Sequence, residues 1–529
     1  MASRTFDGLR RAAAAALCGL AALGPAGQGW ALDDAALRGK QIYREGTSPA
    51  GGEITAVIGG QGVRLPASAV PCASCHGPDG LGRPEGGVLP PDIRWSELTK
   101  VYGHVHANGR RHPPFDEQAL ARLVRTGLDP ADNRLDEAMP QYMISDADMA
   151  DLLAYLRLLE LDRDPGVDDR RVKVGTLLPL QGPQGALGSA MAQVMYAHFE
   201  DVNAAGGVFG RRIELLAIPY GDSPEATLDN LRQAFEAEPV FALVGAYTVG
   251  LDDAILELLR ARGVPLVGPF TLNPGGSVAD AGAFYIYPGF AEQARVLAEE
   301  ALDAAPEGGA LVLVGPDGEP ADALIAAAED QIRRRGGPPP VTLRYPAGGL
   351  DAARLASDVQ AGDGEALIFF GTADELPPVL DALAGSELDP RVYLLSSFVP
   401  RALFSAPASF QGRIFVAFPT LSSDLSAAGR AAYQRLAQAH ALPPDHLQGQ
   451  IATFAAAKLL EEGLRRAGRG LSRDTLVEGL EALYAFDTGL TPPLSYGPNR
   501  RVGARGAHVV AVDLEKQTFA PSDGWHELR

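Results

Sequence analysis

Cysteine is scarce in this chain, with three in 529 residues. Cys18 lies in an apolar run near the start, so only Cys72 and Cys75 stand beyond it. Two thiols three residues apart cannot form a disulfide framework for a chain this long, and no second pair completes a four-cysteine zinc site. Positive charge is also short: 46 Lys and Arg face 66 Asp and Glu, a formal net charge of −20. Such a surface repels nucleic acid and anionic membranes and favours basic partners. No run beyond residue 31 is apolar for long enough to span a bilayer. Nucleophile–base constellations and phosphate loops are missing as well; Gly315-Pro316-Asp317-Gly318 is glycine-rich but lacks the phosphate-loop pattern.

The first residues carry an export signal. Arg4, Arg10 and Arg11 form a basic region, Ala12 to Leu23 is apolar, and Gly29-Trp30-Ala31 is a small-x-small cleavage site. That is the layout of a secretory signal peptide over residues 1–31, which places the mature chain outside the cytoplasm. Cleavage leaves 43 basic against 65 acidic residues, a charge of −22.

The two remaining cysteines stand in Cys72-Ala73-Ser74-Cys75-His76. C-x-x-C-H is the attachment signature of a c-type haem: both sulfurs bond the porphyrin, and the adjoining imidazole takes the iron from one face. A redox dithiol is the competing reading of the two thiols. The opposite face of the iron needs a ligand from downstream. Met139, in Ala138-Met139-Pro140-Gln141-Tyr142, is the expected one, since a thioether stabilises the ferrous state. Met143 is a rival, and Met149 reads as part of a helix face. His104, His106 and His112 form another candidate group, whose alternative is a solvated polar loop.

Around the motif, Ala35 to Arg44 reads as a helix stopped by Gly46, and Ile54–Ile58 with Val63–Leu65 as a hairpin or ordered loop. Gly77 to Pro114 is long and irregular. Asp116 to Thr126 reads as a helix ended by Gly127. Ser145 caps a last helix running to Leu159. Residues 32–160 thus resemble a class I cytochrome c: a first helix with Gly39 and Tyr43, C-x-x-C-H, a Met-Pro loop, and a final helix with Leu153-Ala154-Tyr155-Leu156. The resemblance implies an α-helical cytochrome c domain with one covalent haem c on Cys72 and Cys75, and His76 and Met139 as axial iron ligands. It also implies that the first and last helices cross where Gly39 is small.

Leu161 to Asp169 is charged and holds Pro165 and Gly166, so 161–170 reads as a linker. From Arg171 short apolar runs alternate with helices. Strands are expected at 172–178, 213–218, 241–245, 265–267, 310–314, 341–344, 366–370 and 392–395, which is too many for one sheet and suits two α/β lobes with parallel sheets. Val174–Pro183, Asn203–Arg212, Phe284–Pro288 and Pro493–Asn499 are similar to segments of type I periplasmic binding proteins of the branched-chain amino acid and amide class. That resemblance implies a two-lobed periplasmic binding protein fold over 171–529. Lobe 1 is expected at about 171–288 and 419–495, and lobe 2 at 289–418 and 496–529.

Ligands of such sheets sit at the strand C-terminal ends. The cleft candidates there are Tyr247 and Thr248 in Gly245–Gly250, and Phe270 and Thr271 in Gly268–Asn273. The opposite lobe offers Pro316–Glu319 and Ser396–Phe398. Hydroxyls are few, aromatics frequent, and no acid stands where an amino acid's ammonium needs one; a smaller or more apolar ligand is expected. The whole chain reads as a non-enzymatic periplasmic electron-transfer cytochrome fused to a small-molecule-binding domain. Its partners would be a periplasmic redox protein, such as a dehydrogenase, and a cleft ligand, with no nucleic acid and no membrane span. One alternative is an ABC transporter substrate-binding protein with an accessory haem domain, delivering solute to a permease. Another is a peroxidase-like haem enzyme, which needs an open iron position.

Overall fold

The structure is a computed structural model that describes residues 32–84, 87–106, 108–272, 282–304, 310–385, 390–398, 401–521 and 524–528. The expected signal peptide, 1–31, lies outside the described residues. Two compact units divide between Arg163 and Asp164.

The first unit is built on two crossing helices. Asp33 opens Asp34–Glu45 by accepting from the Ala36 N–H at 2.8 Å, and Gly46 ends it at a φ of 67°. Ser145 opens Asp146–Leu158 by accepting from the Asp148 N–H at 3.0 Å. These caps satisfy amide groups that a helix start leaves bare. The crossing depends on Gly39: a β-carbon there would lie 2.0 Å from the Asp151 carbonyl oxygen. Tyr43 and Tyr155 meet beside it with ring centroids 5.5 Å apart.

The hairpin forms, with Thr55–Ile58 against Val63–Pro66, and gains a third strand, Gln141–Met143, on its other side. Glu117–Thr126 packs below, capped by Asp116 and ended at Gly127. The core gathers Ile42, Tyr43, Leu120, Tyr142, Met149, Leu152 and Tyr155. The long irregular stretch also contains a turn of helix, Trp95–Leu98, and a two-stranded ribbon of His104–Val105 with Arg111–His112.

The division between the two units falls within the expected linker at 161–170, and the residues on each side of it bond to their own unit. Asp162 accepts from the Tyr155 hydroxyl at 2.7 Å and from Lys40 at 2.9 Å, inside the first unit. From Asp164 the chain belongs to the second: Arg473 N–H donates to Asp164, and Lys173 N–H donates to the Gly166 carbonyl at 2.7 Å.

The second unit has two α/β lobes. The first holds a parallel sheet in the order Ala283–Phe284, Leu266–Val267, Leu243–Val244, Arg171–Leu178, Arg212–Pro219. Helices Gly185–Ala204 and Leu447–Ala467 supply much of its core, through Met191, Met195, Phe199, Phe454 and Leu460. Its strands are near-continuous aliphatic runs because both faces are covered. The second lobe places Val341–Tyr345, Ala310–Pro316, Gly364–Phe369, Arg391–Leu395 and Ile414–Phe418 in parallel. Gly506–Asp513 then adds to that sheet antiparallel, so this lobe is mixed rather than purely parallel.

The tail joins the second lobe later than expected. Tyr496 packs edge-on against Phe284 at 5.4 Å and donates its hydroxyl to the Tyr285 carbonyl at 3.0 Å. Val502 bridges Tyr285, and Ala504 is part of the first lobe's core. Residues 496–504 therefore remain with the first lobe, and the crossing falls beside Arg505.

Candidate functional site

Cys72–His76 forms one helical turn between Pro71 and Gly77, whose φ is 75°. Spacing of three residues puts both thiols on one side of that turn. Cys72 lies at an apolar cavity lined by Ile42, Ile54, Val124, Tyr142 and Leu152, while Cys75 is exposed. Burial pushes the Cys72 thiol up to about 11. Reactive dithiols work through a lowered pKa, so this environment speaks against the redox-dithiol reading.

His76 is 5% exposed, and its Nδ1 lies 3.1 Å from the Pro91 carbonyl oxygen. A carbonyl only accepts, so Nδ1 carries the proton and Nε2 carries the lone pair. Burial also lowers the imidazole's pKa, which keeps the ring neutral. A neutral, oriented imidazole with a carbonyl behind it is how metal-bound histidines are held. The Tyr43 hydroxyl donates to the Gly77 carbonyl at 2.7 Å and fixes the end of the turn. The residues present thus fit a c-type haem.

Met139 packs against the same core as Cys72 and Ala73. Met143 is 52% exposed on its strand, and Met149 is buried at 3% within the last helix. The three histidines do not form a solvated loop. His112 is 6% exposed, and its ring lies 5.0 Å from His104 and 5.1 Å from His106. Their nitrogens are used: His104 Nε2 to the Glu97 carbonyl at 2.7 Å, His112 Nδ1 to the Pro113 carbonyl at 2.8 Å, and His106 Nε2 to His112 Nε2 at 2.9 Å. Burial, with Arg110 nearby, pushes His106 down to about 4. Among the described residues no three His, Cys, Asp or Glu side chains are grouped to hold a metal ion.

In the second unit, Tyr247 and Phe270 extend the first lobe's strands past their C-terminal ends. They pair in a parallel bridge and stack at 5.6 Å, with planes 13° apart. The Tyr220 ring meets Tyr247 edge-on at 5.9 Å. Thr248 is 1% exposed and donates to Asp252 Oδ1 at 2.5 Å; the Thr271 hydroxyl reaches the same carboxylate. The four expected residues are therefore together, around an acid that sequence reasoning missed. Asp252 opens the helix Asp252–Arg260, where an acid reads as a partner for the helix dipole. The signal that could have found it is its place, four residues after Thr248.

Comparison with known proteins agrees with this division. A family described as "Periplasmic binding protein" matches residues 171–518, well over half of the chain, and "Cytochrome c" matches 67–160. This chain belongs to the periplasmic binding protein family and carries a cytochrome c domain in front. A cytochrome c domain implies covalently bound haem c. Among curated relatives, Leu/Ile/Val-binding protein homolog 7 of Brucella abortus is 32% identical over 109 residues, 21% of this chain. That stretch spans 26% of the relative's own length. A branched-chain amino acid ABC transporter protein of Thermus thermophilus, solved with bound valine, aligns at a TM-score of 0.50 and 15% identity, over 68% of this chain and 97% of its own. A fatty acid ABC transporter substrate-binding protein of Thermomonospora curvata aligns at 0.49 and 16% identity, over 69% and 95%. At 15% identity the likeness to the Thermus thermophilus protein speaks to fold alone. No described helix of this periplasmic binding protein is long and apolar enough to cross a membrane.

Proposed function

We propose that the chain is a periplasmic one-electron carrier joined to a small-molecule-binding unit. The observation that carries the first half is His76. Its Nδ1 is committed to the Pro91 carbonyl, its ring is buried and neutral, and its Nε2 is left as a ligand on the same turn as both thiols.

In this reading Cys72 and Cys75 would hold one haem c, and His76 Nε2 and Met139 Sδ would be the side chains that ligate its iron. Bound there, the haem supplies reversible one-electron transfer. The chain's own residues do the remaining work. Pro91 and Tyr43 orient the turn, burial keeps His76 deprotonated at Nε2, and the apolar side chains near Cys72 exclude water. A mature surface charge of −22 suits a basic face on a redox partner, with a periplasmic dehydrogenase as the class of partner proposed. Met139 is partly buried against the same hydrophobic cluster as Cys72, and its thioether is the proposed iron ligand that would close the position peroxidase chemistry needs open.

The second half rests on Tyr247, Phe270, Thr248 and Thr271 at the strand ends, where folds of this type hold ligands. The same residues support a second reading, a receptor that hands solute to an ABC permease, with the haem domain as an accessory.

The oxidised visible spectrum of the full chain tests the ligand set. A weak methionine–iron band is expected, and Met139→Ala should abolish it. Retention of the band in that variant reassigns the sixth ligand.

A further inference from the structure

Two loops of the first lobe repeat one pattern. Gly245-Ala246-Tyr247-Thr248 follows the strand Leu243–Val244, and Gly268-Pro269-Phe270-Thr271 follows Leu266–Val267. Both glycines take a positive φ, 56° and 58°. Both aromatics then stack on each other, and both threonines turn to one carboxylate, Asp252.

A hydroxyl has one proton to give. Thr248 and Thr271 give theirs to Asp252, so only lone pairs remain on them. A carboxylate brings acceptors alone. Thr248 is a buried support, whereas Thr271 and Asp252 are partly exposed. This corner therefore offers hydrogen-bond acceptors, negative charge and aromatic carbon, and no side-chain donor from either threonine.

We infer that the cleft ligand presents a donor here: an amine or an alcohol on an apolar body, not a carboxylate. The inference rests on the binding reading proposed above. A carboxylate placed against Asp252 would set like charges together with no donor between them. An ammonium or hydroxyl instead donates to Thr271 and Asp252, and its hydrocarbon lies on the Tyr247 and Phe270 rings. An ammonium also gains from the ring faces. Burial pushes the Asp252 carboxyl above the usual carboxylate range, while hydrogen bonds from Thr248, Thr271 and the backbone N–H groups of Gly250 and Asp252 act the other way.

The test uses the full chain and three probes of one carbon skeleton: 3-methylbutan-1-amine, 3-methylbutan-1-ol and 3-methylbutanoate. Each is titrated by calorimetry and by thermal shift. The amine or the alcohol should bind at least about tenfold more tightly than the acid. Asp252→Asn should then weaken the amine by about tenfold and narrow its advantage over the acid. Preferential binding of 3-methylbutanoate by the wild-type chain overturns the inference while the binding reading stands. Silence from all three, and from short amides and amino acids as well, removes both. The wild-type comparison decides between these outcomes without needing the variant to fold.

Discussion

Replacing Gly39 by alanine should destabilise the first unit by about 2 kcal/mol. The added β-carbon would lie 2.0 Å from the Asp151 carbonyl oxygen, 2.6 Å from its carbon and 2.8 Å from Tyr155 Cβ. Ordinary contact begins near 3.4 Å, so the helices must part by more than 1 Å. The two nearest blocking atoms are backbone and the third is a Cβ, which no rotamer change moves, so side-chain rotation does not relieve the clash. Overpacking of this kind costs about 1–3 kcal/mol or more. Alanine is favoured over glycine inside a helix by about 0.5–1 kcal/mol, which offsets part of that. Separation also loosens the Tyr43–Tyr155 contact, now at 5.5 Å. A net loss of about 2 kcal/mol corresponds to a fall of about 6–10 °C in the melting temperature of a unit this size. Differential scanning calorimetry of the full chain reads it as a shift of the first unit's transition. Leu37→Ala, at a 52% exposed position on the same helix, should move it little. An unchanged or raised transition for Gly39→Ala would refute the close crossing.

Other consequences are equally open to measurement. Tyr43→Phe leaves the Gly77 carbonyl without its 2.7 Å donor and should cost the first unit about 1–2 kcal/mol in chemical denaturation; no loss would mean that the bond contributes nothing. His526 is held by Glu300 at 2.5 Å and Glu299 at 2.9 Å, and the Glu300 hydrogen bond leads in raising its pKa. A raised histidine stabilises fully below its unfolded value, about 6.5, and its contribution fades as pH climbs through the folded value. The melting-temperature advantage of wild type over His526→Gln should therefore shrink as pH rises from 6 to 9, and a growing advantage would contradict the ion pairs.

Much of the architecture was legible because single residues carried strong local physics. Cys72, Cys75 and His76 have few uses at that spacing. Ser145 announces a helix start, and Gly39 has a reason to be small only if another helix presses on it. The aliphatic strands of both lobes stood out since burial on two faces permits little else. Less was legible where pairing partners lie far away in the chain. Gln141–Met143 is short and partly polar, and becomes a strand only by lying against Thr55–Ile58. Gly506–Asp513 reads as a tail until Ile414–Phe418 offers it an edge. The bonds that Asp162 and Asp164 make to Tyr155, Lys40 and Arg473 were not legible either, because those partners come near only in the fold. Asp252 was hidden by its own good sense at a helix start.

The central claim is that Cys72 and Cys75 carry a covalent haem beside His76. Intact mass and visible absorption of the full chain, purified from cells competent in cytochrome maturation, test it most directly. One haem bound through thioethers to each chain, with a low-spin reduced spectrum that Cys72→Ala with Cys75→Ala eliminates, is the expected result. A colourless chain of unmodified mass, with both thiols free to alkylation, would contradict it.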